Sequence, residues 1–344
     1  MLFTGVQVPA IPFRPRSYFC RRATGVACID GRIDKRFWDG APWTEDFVDI
    51  TGDERRLPGK RTRVKMLWDD AFLYVAAELE ENEIWAKQTE HDSVIFQDND
   101  FELFIDPDGD THAYYEVEIN AIGTTWDLLL IKPYRDGGPA VNGWELKGMR
   151  AAVHVDGRVN DPGAPSRSWS VELALPWSSL CECARGGMHP RAGDYWRLNF
   201  SRVEWRADVV DGMYKRRVDE GGTLLLEDNW VWSPMGIVNM HYPEMWGFVV
   251  FTDDGSVGEF AYPGVEEAKW RLRQLYYAQR NFSERHGQFT DDLAALCDGW
   301  DWPLRPRIQV TDQAFEMSLA YGDGLQAVCI REDGLVWTDM RRTV

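Results

Sequence analysis

Apolar and polar residues alternate along most of the first three quarters of the chain. From about residue 61, the stretch RVKMLWDDAFLYVAAELEE places apolar residues such as Val64 and Met66 at every second position on both sides of an Asp-Asp pair. Successive side chains of a β-strand point to opposite faces, so this pattern predicts two strands joined by a turn.

The same alternation returns in seven further segments, separated by Gly, Pro, Asp and Asn residues. These segments are DFELFID, YYEVEIN, TTWDLLLIK, RAAVHVDG, SWSVELALPW, YWRLNFSRVEW and EMWGFVVF. Many short strands with regular turn residues are typical of an antiparallel sandwich or a flattened barrel. We therefore predict a mainly β fold, an antiparallel β-sandwich that is jelly-roll-like.

The spacing of apolar residues changes near Tyr262. The stretch VEEAKWRLRQLYYAQRNFSERHG has apolar residues three and four positions apart and stops at Gly287, which predicts one amphipathic helix. A short second helix in QFTDDLAALC and strands in AFEMSLAY, QAVCIRE and LVWTD follow. The sequence thus predicts an N-terminal arm over residues 1–24, a β-sandwich over 25–258 and a small α+β domain over 262–344.

Composition narrows the range of partners. The net charge of -18 disfavours nucleic acid and anionic lipid, because affinity for either comes mainly from lysine and arginine. No apolar run approaches the roughly 18 residues of a membrane span, so no membrane insertion is expected. The opening MLFTGVQVPAIPFRPRSYF has no basic segment followed by a long apolar one. This predicts a cytoplasmic location unless an export signal lies outside the sequence.

Acidic residues are concentrated between residues 98 and 120, where their meaning depends on the face they occupy. In YYEVEIN, Glu116, Glu118 and Asn120 share one face of the predicted strand, while Tyr115 and Val117 share the other. The polar face is either a solvated sheet surface or a ligand-binding surface. The 17 tryptophans could form stacking surfaces, but the residues alone support the two interpretations about equally.

Several segments together resemble the family 9 carbohydrate-binding modules, which are DOMON-like β-sandwiches. The resemblance runs in order through VACIDGRIDKRFWDGAPW, RVKMLWDDAFLYVAAEL, DFELFIDPDGDTHAYYEVEIN, SWSVELALPWSSL, YWRLNFSRVE and WVWSPMGIVNMHYPEMWGFVVF, about three quarters of the chain. The remainder resembles the globular head of type IV pilin-like proteins, in which a helix such as LRQLYYAQRNFSERHGQF precedes a small sheet. We expect an accessory domain there.

The resemblance implies a sugar-binding sheet face. Family binding positions match Glu102, Glu118 and Asn199, and the aromatic residue upstream of the acidic strand matches Phe96. With the alternation of the strands, the predicted ligand-binding residues are Phe96, Glu102, Glu116, Glu118, Asn120, Trp126, Asn199 and His241. The chain departs from the family where its second stacking tryptophan gives way to Met240 and His241, and where a central arginine is replaced by Glu118.

The function predicted from these features is non-catalytic binding of a neutral sugar or oligosaccharide, in the context of carbohydrate catabolism. A face rich in glutamate would repel a uronate unless calcium bridged the two. No pair of acids is marked as a glycosidase pair, so no catalytic residue is predicted. The alternatives are a hydrolase acting on O-glycosyl bonds, a haem-binding or electron-transfer sandwich, and an interaction module. Catalysis is thus an open alternative.

The loop DPDGD joins two predicted strands and brings three carboxylates close together. Asp106, Asp108 and Asp110 have a spacing that suits calcium, and the resemblance implies structural calcium in some family members. A Pro-Asp-Gly turn uses the same residues without an ion and accounts directly for Pro107 and Gly109. We favour the turn, with calcium as the alternative, and predict no required cofactor.

Overall fold

The computed structural model describes residues 4–253 and 260–340. Its strands are β1 (Ser17–Arg22), β2 (Val48–Asp49), β3 (Thr62–Trp68), β4 (Phe72–Glu80), β5 (Asp100–Asp106), β6 (Tyr114–Asn120), β7 (Thr125–Leu130), β8 (Ala140–Val141), β9 (Arg150–Asp156), β10 (Ser168–Pro176), β11 (Tyr195–Glu204), β12 (Ala207–Val210), β13 (Met213–Arg216), β14 (Asp228–Val231), β15 (Gly247–Thr252), β16 (Arg307–Val310), β17 (Phe315–Tyr321), β18 (Gln326–Arg331) and β19 (Val336–Met340). The helices are α1 (Trp177–Leu180), α2 (Gly264–His286) and α3 (Leu293–Leu296). The predicted sandwich boundary at residue 258 lies outside the described residues.

The strands of the larger sheet lie in the order β8-β7-β6-β5-β11-β15-β1-β3-β4-β10-β9; β14 also pairs with β11, and β2 pairs with β14. The strand pairs are antiparallel except that β1 pairs in parallel with both β15 and β3. The sheet is therefore mixed rather than purely antiparallel, because β1 joins its two halves. The predicted arm over residues 1–24 contains this strand, whereas the division of the chain into domains stays a prediction.

The two halves of this sheet curl toward each other around one apolar core, as expected for a mainly β sandwich. The core takes the inward residues of both halves, including Val64 and Val75 from one half and Leu103, Val117 and Leu198 from the other. The predicted hairpin from residue 61 is confirmed, with β3 and β4 paired in antiparallel register. The period-two pattern was informative because each strand buries one of its faces here.

A second core lies on the outer face of the sheet and extends into the C-terminal part of the chain. It combines Phe104 and Leu128 from the large sheet with Leu272 from α2 and Val328 from β18. Helix α2 packs on β17 and β18 of a four-stranded antiparallel sheet ordered β16-β17-β18-β19. The predicted helix is confirmed, and it ends at Gly287, whose φ of 74° suits glycine.

Buried ion pairs join α2 to the large sheet and its loops. Glu244 Oε1 lies 2.8 Å from Arg135 Nη2, and the Tyr277 hydroxyl of α2 donates to Glu244 over 2.5 Å. Elsewhere on α2, Glu266 pairs with Arg197 of β11 at 3.3 Å. These groups are screened little by solvent, so they fix the helix against the sheet.

Within residues 4–253 and 260–340, the helices are too short or too polar to cross a lipid bilayer.

Candidate functional site

A pocket of about 420 Å³ opens on the outer face of strands β5, β6 and β7. Six of the eight predicted ligand-binding residues line it: Phe96, Glu102, Glu116, Glu118, Trp126 and His241. The structure therefore brings together most of the predicted site, although the binding role of these residues stays a prediction. Further lining comes from Ile50, Phe104, Tyr134, Val203, Glu227, Asn229, Val238, Asn239 and Met240.

Strand register places the acids and the tryptophan side by side. Glu102 of β5 stands directly opposite Glu118 of β6, and Glu118 stands opposite Trp126 of β7. Residues opposite each other on neighbouring strands share a face and have Cβ atoms about 5 Å apart. The pocket floor is thus a continuous row across three strands; the alternation predicted the face of the acids but not this register.

The acidic face is buried rather than solvated. Glu102, Glu116 and Glu118 are only 5%, 6% and 1% exposed, which excludes the interpretation of this face as the wet side of a hairpin. Loops around Tyr134 and Met240 form walls beside the pocket. Strand alternation assigned these acids to the correct face but carried no information about what covers them.

Burial changes the charge state of the pocket floor. Desolvation raises the pKa of Glu102 to about 7, and it raises the pKa of Glu116 and of Glu118 well above the ordinary value. Neighbouring carboxylates add to the shift for Glu116 and Glu118. The described residues that line the pocket include no lysine or arginine. The floor can therefore offer both hydroxyl donors and carboxylate acceptors, or take up a cation.

Two aromatic rings stand at one edge of the pocket. Phe96 and Trp126 are stacked, with ring centroids 6.4 Å apart and an interplanar angle of 24°. The backbone N–H of Phe96 donates to Glu118 Oε2 over 2.9 Å, which ties this aromatic edge to the acidic floor. Trp126 Nε1 is buried and has no hydrogen-bond partner among the described residues, so it is open to an acceptor on a ligand.

His241 forms a neutral wall of the pocket. Burial, reinforced by Arg135, lowers its pKa to about 3. Its Nδ1 atom lies 2.9 Å from the Tyr114 hydroxyl, and the Tyr134 ring meets the imidazole edge-on at 4.6 Å between centroids. In the resembled family a tryptophan is expected at this position. His241 offers a small polar aromatic surface instead of a large stacking one.

Asn120 and Asn199 do not line the pocket, contrary to their predicted role. Asn120 is fully buried and its side chain bonds Gln88 O and Asp98 Oδ2, and it accepts from Thr124 N. The side-chain amide of Asn199 donates to Ser233 O over 2.9 Å. Both amides are committed to loops that pack behind the face, because a buried amide must satisfy its own hydrogen bonds.

The DPDGD loop has the geometry of the predicted turn. Asp106 accepts hydrogen bonds from Gly109 N over 2.9 Å and from Thr111 N over 3.0 Å. Gly109 has a φ of 64°, which glycine adopts without strain. Oxygens of Asp106, Asp108 and Asp110 also lie within 4.8 Å of one another, so the alternative of calcium in this loop stays a prediction.

A second group of carboxylates that suits a cation was missed by the sequence analysis. Asp100, Glu102 and Glu118 each offer an oxygen, and these oxygens lie within 4.8 Å of one another. Asp100 belongs to the same face as Glu102, two residues along β5. The alternation that marked Glu102 could have found Asp100, but Asp100 lies at the first position of the strand, where boundaries are least certain.

The arrangement of the acids leaves glycoside hydrolysis as an open alternative. Glu102 and Glu118 lie on neighbouring strands of one floor, and oxygens of the two lie within 4.8 Å of each other. A glycosidase needs two carboxyls that flank the scissile bond at a defined separation. The positions of the described acids do not single out two of them as such a pair.

Residues 29–132 match the model of a family described as Carbohydrate family 9 binding domain-like. The matched region contains β3 to β7, and with them Phe96, Glu102, Glu116, Glu118 and Trp126. His241 and the C-terminal sheet lie beyond it.

Among similar proteins, the exoglucanase XynX of Acetivibrio thermocellus is 26% identical over 159 residues, which is 45% of this chain and 12% of that protein. The chain thus spans only a small part of the length of this relative.

A crystal structure from Bacteroides uniformis, of a protein proposed to bind carbohydrate, has a TM-score of 0.50 and 17% identity, covering 69% of this chain and all of the other. It supports the fold. A family 9 module from Caldicellulosiruptor kristjanssonii, solved with cellotriose, has a TM-score of 0.44 and 14% identity, covering 72% of this chain and all of the module.

Proposed function

We propose that the chain binds a carbohydrate, without cleaving it, in the pocket on strands β5 to β7. The observation that carries the proposal is the combination of a stacked aromatic pair, Phe96 and Trp126, with carboxyls of Glu116 and Glu118 in one 420 Å³ pocket. Sugars need both kinds of surface, because their C–H faces are apolar and their rims carry hydroxyls. The family match over residues 29–132 supports the proposal.

Each part of the pocket has a distinct task in this proposal. The exposed ring of Phe96 and the half-buried ring of Trp126 form the edge against which a pyranose lies. Glu116 and Glu118 hold the hydroxyls, as acceptors when ionised and as donors when protonated. His241 is too small to form the second wall of a long stacking clamp, so we expect a short ligand or one chain end.

The ligand class and context come from charge and from the relatives. Uncompensated carboxylates repel an acidic sugar, so we propose a neutral sugar or oligosaccharide. One relative is named an exoglucanase, and one similar structure was solved with cellotriose. These names favour a role in polysaccharide catabolism, with β-linked glucose oligomers as the first ligands to test.

We also propose that the C-terminal part is an accessory domain. Its order, helix α2 followed by an antiparallel sheet, fits the pilin-like head that the sequence resembles. Helix α2 shares an apolar core with the outer face of the large sheet, close to the pocket, through contacts around Phe104. Such packing supports the strands that carry the site.

The test is a glycan array followed by calorimetry with the ligands found, with and without calcium. Stacking and hydrogen-bonding contacts of this kind contribute about 1 to 3 kcal/mol, so Trp126→Ala and Glu116→Ala should each weaken binding about tenfold or more. Trp43→Ala is the matched control, because Trp43 is also half-buried but stacks on Arg63 away from the pocket. Binding that survives both pocket substitutions, or an array without any ligand, would refute the proposal.

Catalysis is tested on the same protein. Incubation with polysaccharides and aryl glycosides should release no reducing sugar. Release that disappears in Glu102→Gln would show a hydrolase instead.

A further inference from the structure

Three carboxylates converge on the floor of the pocket. Oxygens of Asp100, Glu102 and Glu118 lie within 4.8 Å of one another, and these residues are 0%, 5% and 1% exposed. Calcium holds oxygens at about 2.3 to 2.6 Å, so two of its ligands lie at most about 5 Å apart. A point between the three oxygens lies at most about 2.8 Å from each, so small side-chain movements would bring all three to the coordination distance of one ion.

Two buried oxygens at this site, one on Asp100 itself and one on Ser201, have unused hydrogen-bonding capacity. Asp100 Oδ2 has no hydrogen-bond partner in the part of the chain that the structure describes, and the Ser201 hydroxyl approaches Glu102 and lowers the pKa of that carboxyl without a hydrogen bond of good geometry. Ser201 is fully buried on β11 directly opposite Glu102, so its side chain lies on the same face. Buried polar atoms of folded proteins are nearly always satisfied, so these two oxygens indicate a bound group.

The charge of the three carboxylates determines which kind of ligand they can bind. The described pocket lining contains no lysine or arginine, and His241 is neutral, so the three carboxylates have no cation of the protein beside them. A cation that binds here must displace the protons of these acids; of the three negative charges then present, a monovalent ammonium compensates one and a divalent ion two. Hard divalent cations prefer carboxylate and hydroxyl oxygens, which is the set present here.

We propose that Asp100, Glu102 and Glu118 bind a divalent cation of calcium-like chemistry at the floor of the pocket, with the Ser201 hydroxyl beside it. The DPDGD loop is the weaker candidate, because the ammonium of Lys269 lies beside it, 2.9 Å from Gly109 O, and already supplies a positive charge near its carboxylates. Glu102 and Glu118 also line the open pocket, so the ion faces it. Resting on the proposed function, this site gives sugar hydroxyls a place in the coordination sphere.

The experiment measures the cation directly on the full chain. Protein stripped with EDTA is titrated with terbium, whose luminescence is sensitised by nearby tryptophan, and with calcium by calorimetry. Trp126 stands opposite Glu118, so binding at the floor should give a signal that Trp126→Phe weakens. Glu118→Gln should weaken the affinity of this site at least about tenfold, whereas Asp108→Asn, in the loop, should leave it unchanged.

The melting temperature of each variant in EDTA is the control for correct folding. Removing one of several crowded acids should not lower this temperature. Asp100→Asn is the second variant and should reproduce the loss. A titration without binding, or binding that Asp108→Asn abolishes and Glu118→Gln leaves intact, would overturn the proposal. Binding of glucosamine without any divalent ion would also overturn it, since the acids would then serve an ammonium. The glycan array run in EDTA tests the proposed function separately, because sugars that bind without metal uphold it even if no cation binds.

Discussion

The ion pair between Glu244 and Arg135 gives a stability prediction whose magnitude and pH dependence follow from the structure. Glu244 is 8% exposed and lies 2.8 Å from Arg135, with the Tyr277 hydroxyl of α2 at 2.5 Å. Burial opposes ionisation, but Arg135 and Arg273 outweigh it and lower the pKa of Glu244 from 4.5 to about 2. A shift of this size corresponds to about 3 kcal/mol of stability.

We expect Glu244→Gln to lower the free energy of unfolding by about 3 kcal/mol at pH 7. The change removes one of the charges that compensate Arg135, whose side chain is only 6% exposed, and loss of one partner of a buried pair typically costs about 3 to 5 kcal/mol. The folded-state pKa is below the unfolded one, so this stability is present above about pH 4.5 and is lost as the pH falls toward 2.

Urea denaturation at pH 7 and at pH 3, followed by tryptophan fluorescence, measures the difference. At pH 3 the difference in the free energy of unfolding between wild type and variant should shrink to about half or less of its value at pH 7. Glu80→Gln is the control, because Glu80 forms a surface pair with Arg61 at 3.0 Å and should cost less than about 1 kcal/mol. A loss below about 1 kcal/mol for Glu244→Gln at pH 7, or an equal loss at both pH values, would refute the reasoning.

Three further predictions concern single residues. Asn120→Ala should lower the free energy of unfolding, measured by urea denaturation, by about 2 to 4 kcal/mol, because four hydrogen bonds of a buried amide are lost. Glycan affinity should be unchanged. A variant that keeps full stability but loses affinity would contradict this prediction. Gly247→Ala should lower the free energy of unfolding by about 1 to 3 kcal/mol, because a Cβ atom at this position would lie 2.3 Å from the Trp232 ring. An unchanged melting temperature would count against that contact. The imidazole NMR signals of His241 should not shift between pH 8 and pH 5, because its pKa is about 3; a titration near pH 6.5 would show that the ring is solvated.

The sequence by itself determined which face each strand residue occupies. In YYEVEIN, Tyr115 and Val117 enter the core while Glu116 and Glu118 point the other way, as the alternation predicted. The same local rule placed helix α2 and its end at Gly287. These predictions succeed because backbone geometry alone sets side-chain direction along a strand or a helix.

Partners distant in the chain were decided only by the tertiary structure. Strand β1, inside the predicted arm, pairs in parallel between β15 and β3, a register that no local pattern indicates. Asn199 shares the predicted polar side of its strand, but a loop at Ser233 takes its amide.

The burial of the acidic face was settled in the same way. Loops near Tyr134 and His241, far along the chain from Glu102, wall the pocket and convert a polar sheet face into a desolvated one. Alternation fixes direction, whereas solvent exposure depends on which distant segments pack nearby, and packing is a property of the whole fold.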